Sequence, residues 1–260
     1  MSDYDVYADI YDAQYWGYTE DISFYVQEAS QARGPVLELA CGTGRVLLPC
    51  AEAGALITGL DSSRAMLTRC QEKLAAYAPE VATRVRLVTG DMRVFKLPER
   101  FELITIPFRS FLLLLTVQDQ LQALATIRDH LAETGRLVFN VFVPDIKMIA
   151  ARSGDAGEAL TRIKDFLDPE SGHRLMMWDS RNYRINDQIL ESLFIYDQVG
   201  ENGQVVRRSY KPLKLRWIYR YEAEHLLARS GFVVEALYGG FNRQPFDESS
   251  REMIWVARKG

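Results

Sequence analysis

The sequence predicts an α/β protein, a doubly wound and mostly parallel sheet with helices on both faces, into which an antiparallel β segment is inserted late in the chain. Three observations carry this expectation. From Gly34 to Pro144 short apolar runs of β type alternate with amphipathic helical stretches, and parallel strands need such crossovers to return the chain. After Pro144 the pattern changes to long runs rich in β-branched and aromatic residues, separated by turn signals such as Asn186-Asp187 and Glu201-Asn202-Gly203. With 260 residues, 48% of them hydrophobic, the chain can bury a substantial core.

Residues 1–33 precede the alternation. Tyr4, Tyr7, Tyr11, Tyr15 and Tyr18 recur there at intervals of three or four, which places them along one face of a helix. The main domain then runs as strand 35–40, helix to about residue 53, strand 55–61, helix 63–78, strands 85–91 and 101–107, helix 118–132 and strand 135–144. A helical piece and the stretch "RSGDAGEA" lead into an insertion over 152–219, read as three antiparallel strands. Residues 220–260 return to the main domain with the helix "EAEHLLARSGF", stopped by Gly231, and the strands "VVEALYGG" and "EMIWVARK". The expected units are therefore 1–33, 34–151 joined with 220–260, and 152–219.

Composition excludes several classes of partner. Thirty-one basic against thirty-five acidic side chains give a net charge of -4, which offers no electrostatic footprint for nucleic acid. No apolar run approaches the length needed to span a bilayer, and the acidic, aromatic start does not resemble a secretory signal. Cys41, Cys50 and Cys70 are odd in number and lack paired close spacing, so neither a disulfide framework nor a metal site is expected and the cytoplasm is the expected compartment.

Chemistry concentrates where the first strand meets a helix, in Glu38-x-Ala40-Cys41-Gly42-x-Gly44. Glycine lets the backbone turn sharply there and approach a ligand closely. A dinucleotide site would place a third glycine at position 47, which is leucine, and Glu38 at the strand end would repel phosphate. A phosphate-free cofactor fits better. Asp61 ends the second strand, where a carboxylate accepts hydrogen bonds from ribose hydroxyls. Asp91 ends the third, where a carboxylate can accept from an exocyclic amine such as that of adenine. Two carboxylates, a glycine turn and no basic clamp describe a nucleoside cofactor carrying positive charge.

Taken in order, "ELACGTGR", "LDSSRAML", "TGDMR", "FELITIPFRSF" and "IRDHLAETGRLVFNVFVP" resemble the class I S-adenosylmethionine-dependent methyltransferases. The resemblance implies a Rossmann-like, seven-stranded sheet whose final hairpin supplies one antiparallel strand. It implies that Ala40, Gly42 and Gly44 lie against the methionine part and that Glu38 helps position its amino group. It places Asp61 and Ser62 on the ribose, Asp91 and Met92 at the adenine, and Pro107 facing the sulfonium. "YADIYDAQYWG" with "GDMRVF" is similar to the small-molecule branch that includes sugar N,N-dimethyltransferases. That likeness implies an amino-terminal helical lid with Tyr11 and Tyr15 nearest the methyl donor.

The acceptor is expected beyond the fourth strand, near Phe108, Arg109 and Ser110. The insertion offers Arg181, Asn182, Tyr183, Arg216, Trp217 and Tyr219, of which Tyr183 and Trp217 are taken with Phe108 and Arg109 as substrate-binding candidates. Where relatives that methylate macromolecular amines carry an Asn or Asp, Pro, Pro, aromatic motif, this chain has "IPFR", which argues for a small-molecule acceptor. His130, His173 and His225 are not compelling bases, and Tyr15 is the candidate catalytic residue. Methyl transfer to nitrogen or oxygen is the first reading. A non-catalytic cofactor binder acting through a protein partner is the alternative, and a nicotinamide-dependent oxidoreductase ranks below both for want of the third glycine. The exposed edge of the insertion also offers a surface for a homodimer.

Overall fold

The computed structural model describes residue 8 and residues 10–154, 159–168 and 172–260. Helices α1 (Tyr11–Tyr15) and α2 (Ile22–Gln31) precede β1 (Val36–Leu39), and α3 (Leu47–Glu52) leads to β2 (Ile57–Asp61). Helices α4 (Arg64–Leu74) and α5 (Pro79–Ala82) lead to β3 (Val85–Thr89). Strand β4 (Phe101–Ile106) passes through a 3-10 turn (Ser110–Leu113) to α6 (Val117–His130) and β5 (Leu131–Phe142). After α7 (Ile146–Ala151) come β6 (Thr161–Leu167), β7 (Arg174–Arg184), β8 (Ile189–Val199) and β9 (Val205–Arg216). Helix α8 (Arg220–Arg229), β10 (Phe232–Tyr238) and β11 (Glu252–Lys259) end the chain.

Seven strands form the main sheet in the order β10-β11-β5-β4-β1-β2-β3. β11 runs antiparallel to β5 and β10, and the other pairs are parallel. This is the expected mostly parallel α/β sheet. Every residue of β1 and β2 is buried, as central strands covered by helices on both faces must be. From β1 the chain winds outward through β2 and β3 and then returns to place β4 on the other side of β1. The connections leaving the carboxyl ends of β1 and β4 therefore run to opposite sides and open a crevice between them. Side-chain caps fix where the flanking helices start: Ser63 accepts from Met66 N, Thr116 from Asp119 N and Asp145 from Met148 N.

The insertion is a separate sheet of four strands, ordered β6-β7-β8-β9 and antiparallel throughout, which corrects the expectation of three. The additional strand, β6, reads "TRIKDFL"; its charged residues mask the alternation, and pairing with β7 makes it a strand. Part of "RSGDAGEA" lies outside the described residues, as do Tyr4 and Tyr7. The tyrosine face expected of one helix is divided, because α1 ends at Tyr15 and Tyr18 follows in a loop. No helix among the described residues is long and apolar enough to cross a membrane.

The amino-terminal helices are fastened from several directions. Glu28 of α2, fully buried, pairs with Arg136 of β5 at 3.0 Å and with Arg243 at 2.5 Å. Asp12 of α1 accepts from Thr43 at 2.6 Å and from Lys73 at 2.9 Å on the main-sheet side. Gln14 accepts from Tyr196 OH of β8 at 2.6 Å through Oε1 and from Lys164 of β6 through its carbonyl. Helix α1 is thereby held between the two sheets.

Candidate active site

A cavity of about 720 Å³ opens at the carboxyl ends of β1 to β4, beneath α1 and the inner face of the four-stranded sheet. Its volume falls in the usual range for small-molecule sites. Ala40, Gly42, Asp61, Ser62, Asp91 and Met92 line one part, Tyr11, Tyr15, Phe108 and Arg109 the middle, and Arg181 and Tyr183 the part under the inserted sheet.

The glycine turn takes its shape from three left-handed residues, Ala40, Gly42 and Gly44, at φ of 54°, 55° and 81°. Asp61 holds the turn in place: its carboxylate accepts from Gly42 N at 2.8 Å and from Ser63 N at 2.8 Å. A Cβ on Gly42 would meet no atom within 4 Å, whereas one on Gly44 would lie 2.6 Å from Cys70 Sγ and 2.9 Å from Leu48 Cγ. Gly42 thus leaves ligand space open, while Gly44, outside the cavity lining, lets the turn pack against α3 and α4. Glu38 lies behind the wall, 2% exposed, and its Oε2 has no hydrogen-bond partner. Burial pushes its carboxyl up to about 8, against the pull of Arg45. Arg45 is itself committed to Asp21 through two 2.6 Å bonds, and Lys73, which donates to Thr43 Oγ1 of the turn at 3.0 Å, is paired with Asp12 at 2.9 Å. A buried carboxyl with one orphaned oxygen, an open glycine and a ribose-level carboxylate fit a cationic nucleoside such as S-adenosylmethionine, and the two cations beside the turn are already paired with carboxylates, which disfavours a pyrophosphate.

At the end of β3, Asp91 is engaged by Arg93, which donates to it from backbone N, Nε and Nη2 and reaches Asp119 at 2.8 Å. The hydrogen bonds from Arg93 hold the Asp91 carboxyl below its ordinary range. Arg93 and Asp119 also line the cavity, and no local sequence signal marks them, because only the fold brings residues 91, 93 and 119 together.

The middle of the cavity is aromatic. The Tyr15 and Phe108 rings meet edge to face at 4.8 Å, with Tyr11 4.9 Å from Tyr15 and Tyr18 5.2 Å from Phe108. Burial pushes the Tyr15 phenol up to about 12, with Arg109, Arg45 and Arg181 pulling the other way. Phe108 and Arg109 are both left-handed, at φ of 56° and 64°, a conformation that costs roughly 1–3 kcal/mol per non-glycine residue. Arg109 is anchored by its surroundings. Its side chain pairs with Glu252 of β11, Glu252 accepts from Asn140 Nδ2 at 2.9 Å, and Asn140 Oδ1 accepts from Tyr25 OH at 2.9 Å. Pro107 is outside the lining; its carbonyl accepts from Ser110 N and Oγ and shapes the turn.

On the inserted sheet, Arg181 and Tyr183 alternate onto the inner face of β7 and reach the cavity, while Asn182 between them points away from it. Trp217 does not reach it: 1% exposed, it packs edge-on against Tyr183 at 5.6 Å and supports that ring from behind. Arg216 is buried in an ion pair with Glu222 at 2.6 Å, and Tyr219 is exposed at the start of α8. No histidine lines the cavity. His130 Nε2 accepts from Leu97 N and its Nδ1 meets Thr126 O, a packing role, and His173 and His225 are exposed.

Residues 36–135 match the family model for a methyltransferase domain. The chain is 25% identical over 224 residues to the cypemycin N-terminal methyltransferase of a Streptomyces species, covering 86% of this chain and 82% of that one. It is 33% identical over 142 residues to the dTDP-3-amino-3,4,6-trideoxy-alpha-D-glucopyranose N,N-dimethyltransferase of Streptomyces venezuelae, spanning about half of each, 51% and 55%. The solved structure of the CcbJ methyltransferase from Streptomyces caelestis superposes with a TM-score of 0.80 at 25% identity over 100% of both chains. With the sheet order, the glycine turn and these matches in agreement, residues 36–135 carry a methyltransferase domain and the chain is an S-adenosylmethionine-dependent methyltransferase, with S-adenosylmethionine as its cofactor.

Proposed function

We propose that this enzyme methylates an amine nitrogen of a small molecule held between the end of β4 and the inner face of the inserted sheet. The observation that carries the reading is the continuity of the cavity, which runs from Asp61 past Tyr15 and Phe108 to Arg181 and Tyr183. An insertion serving only as a partner-binding module would have no need to leave this space open. Two relatives named for N-methylation, one of a peptide amino terminus and one of a sugar amine, support nitrogen over oxygen. In this reading residues 1–33 are the lid, 152–219 the cap, and the rest the cofactor-binding domain.

Bound S-adenosylmethionine supplies a methyl carbon that an acceptor lone pair attacks in line, the electron pair of the C–S bond passing to sulfur. The chain's residues position and desolvate the reactants. Gly42 and Ala40 admit the methionine part, Gly44 packs the turn in place, and Glu38 balances the ammonium. Asp61 and Ser62 take the ribose, and Asp91 and Met92 the adenine. Tyr11, Tyr15 and Phe108 offer aromatic rings to the sulfonium, whose charge is favoured against a ring face. With its phenol near 12, Tyr15 stays protonated at neutral pH and orients the acceptor by hydrogen bonding, so the acceptor amine enters neutral and gives its proton to solvent after transfer.

The test is incubation with S-adenosylmethionine and matched panels of small amines and alcohols, followed by mass spectrometry. S-adenosylhomocysteine formed in equal amount with an N-methylated product is expected. Transfer confined to oxygen acceptors would overturn the choice of nitrogen, and cofactor binding with no transfer to either panel would favour the non-catalytic alternative.

A further inference from the structure

We infer that the acceptor side of the cavity contains an anion subsite formed by Arg109 and Arg181, so that the acceptor amine carries a carboxylate or phosphate on an apolar body. The inference rests on the acceptor entering between β4 and the inserted sheet. Arg109 comes from the end of β4 and Arg181 from the inner face of β7, and both line the cavity. Each is held by a carboxylate that lies deeper than itself. The Arg109 side chain is 39% exposed against 9% for Glu252, and the Arg181 side chain 29% against 1% for Asp179.

In each pair the arginine is thus the more exposed partner, so its guanidinium is more accessible than the carboxylate that holds it. Glu252 engages Nε and Nη2 of Arg109, and Asp179 engages Nε of Arg181. A guanidinium has five N–H donors in a rigid fork, so each arginine keeps donors beyond those its carboxylate uses. The wall from β8 and β9 is mainly apolar, with Leu190, Phe194, Leu213 and Leu215 beside Ser192 and Lys214, the latter paired with Glu191 at 2.8 Å. Asp145, a carboxylate lining this side, is occupied in capping α7 through Met148 N at 3.0 Å. Orienting two guanidinium groups before the ligand arrives lowers the cost of binding an anion.

The experiment uses protein saturated with S-adenosylhomocysteine and titrates phenylphosphonate, phenylacetate and the uncharged phenylacetamide into wild type, Arg181→Gln and Arg109→Gln, followed by ligand-observed NMR. The anions are expected to bind about tenfold more tightly than the amide, and each variant to lose about tenfold for the anions alone, as loss of a charge-assisted hydrogen bond implies. S-adenosylhomocysteine affinity should be unchanged in Arg181→Gln, which also reports that the variant is folded. Tighter phosphonate binding assigns a phosphate-bearing acceptor, and tighter phenylacetate binding a carboxylate-bearing one. An amide that binds as well as the anions, or variants that keep the anion preference, would overturn the subsite. Failure of S-adenosylhomocysteine to bind wild type would instead count against the methyl-transfer reading beneath it.

Discussion

Cofactor affinity should depend on pH through Glu38. The carboxyl is buried, its Oε2 is orphaned, and burial raises it from 4.5 to about 8. At pH 7 roughly nine-tenths of the ligand-free protein therefore carries a proton there, and binding an ammonium beside Glu38 requires its release. Affinity for S-adenosylhomocysteine should rise with pH by up to about tenfold per unit below 8. Allowing for titration of the ligand's own amine near 8, the gain from pH 6 to pH 8 is about twentyfold. The same shift makes a stability prediction of known sign. The folded-state value lies above the unfolded one, so between about 4.5 and 8 the folded protein retains a proton that the unfolded chain has lost. Ligand-free stability should fall as pH rises through that window, by at most about 1.4 kcal/mol per unit from this group. Titration calorimetry in buffers of differing ionisation enthalpy counts the released proton directly. Glu38→Gln should abolish the release and flatten the profile. Constant affinity from pH 6 to pH 8 in wild type, or an unchanged profile in Glu38→Gln, would refute the reasoning.

Other substitutions separate packing from ligand contact. Gly44→Ala combines a φ of 81° with contacts at 2.6 Å and 2.9 Å and should destabilise by about 2–4 kcal/mol, against about 1–2 kcal/mol for Gly42→Ala, which meets no atom; equal losses in urea midpoints would contradict the contact argument. Glu28→Gln should cost about 3 kcal/mol by unpairing Arg136 and Arg243, read as a lowered Tm, and an unchanged Tm would show that the double pair contributes nothing. Tyr15→Phe preserves the ring on Phe108 and should lower kcat by less than about tenfold, the share of one oriented hydrogen bond; a far larger loss with unchanged cofactor affinity would make the phenol a proton carrier.

Much of the main domain was legible because local signals and global fold agree there. Apolar runs fully buried in β1 and β2 and the left-handed glycines each mark their own element without help from distant residues. Strand β6 was not legible: Arg162, Lys164 and Asp165 break its apolar pattern, and β7 supplies the pairing that makes it a strand. The same division runs through the site. Gly42, Asp61 and Asp91 belong to contiguous motifs at strand ends. The anchoring of Arg109 depends on Tyr25, Asn140 and Glu252, residues more than a hundred positions apart that only sheet order brings together. Trp217 shows the limit of composition, since an aromatic beside the cavity can support a lining ring without touching the space.

The central claim, that the glycine turn and Asp61 hold a phosphate-free adenosine cofactor, is tested most directly by calorimetric titration of S-adenosylhomocysteine and NAD into wild type and Asp61→Ala, with circular dichroism to confirm folding. Micromolar binding of S-adenosylhomocysteine to wild type, its loss in the variant and no binding of NAD are predicted. Folded wild-type protein that binds NAD, or fails to bind S-adenosylhomocysteine, would contradict the account.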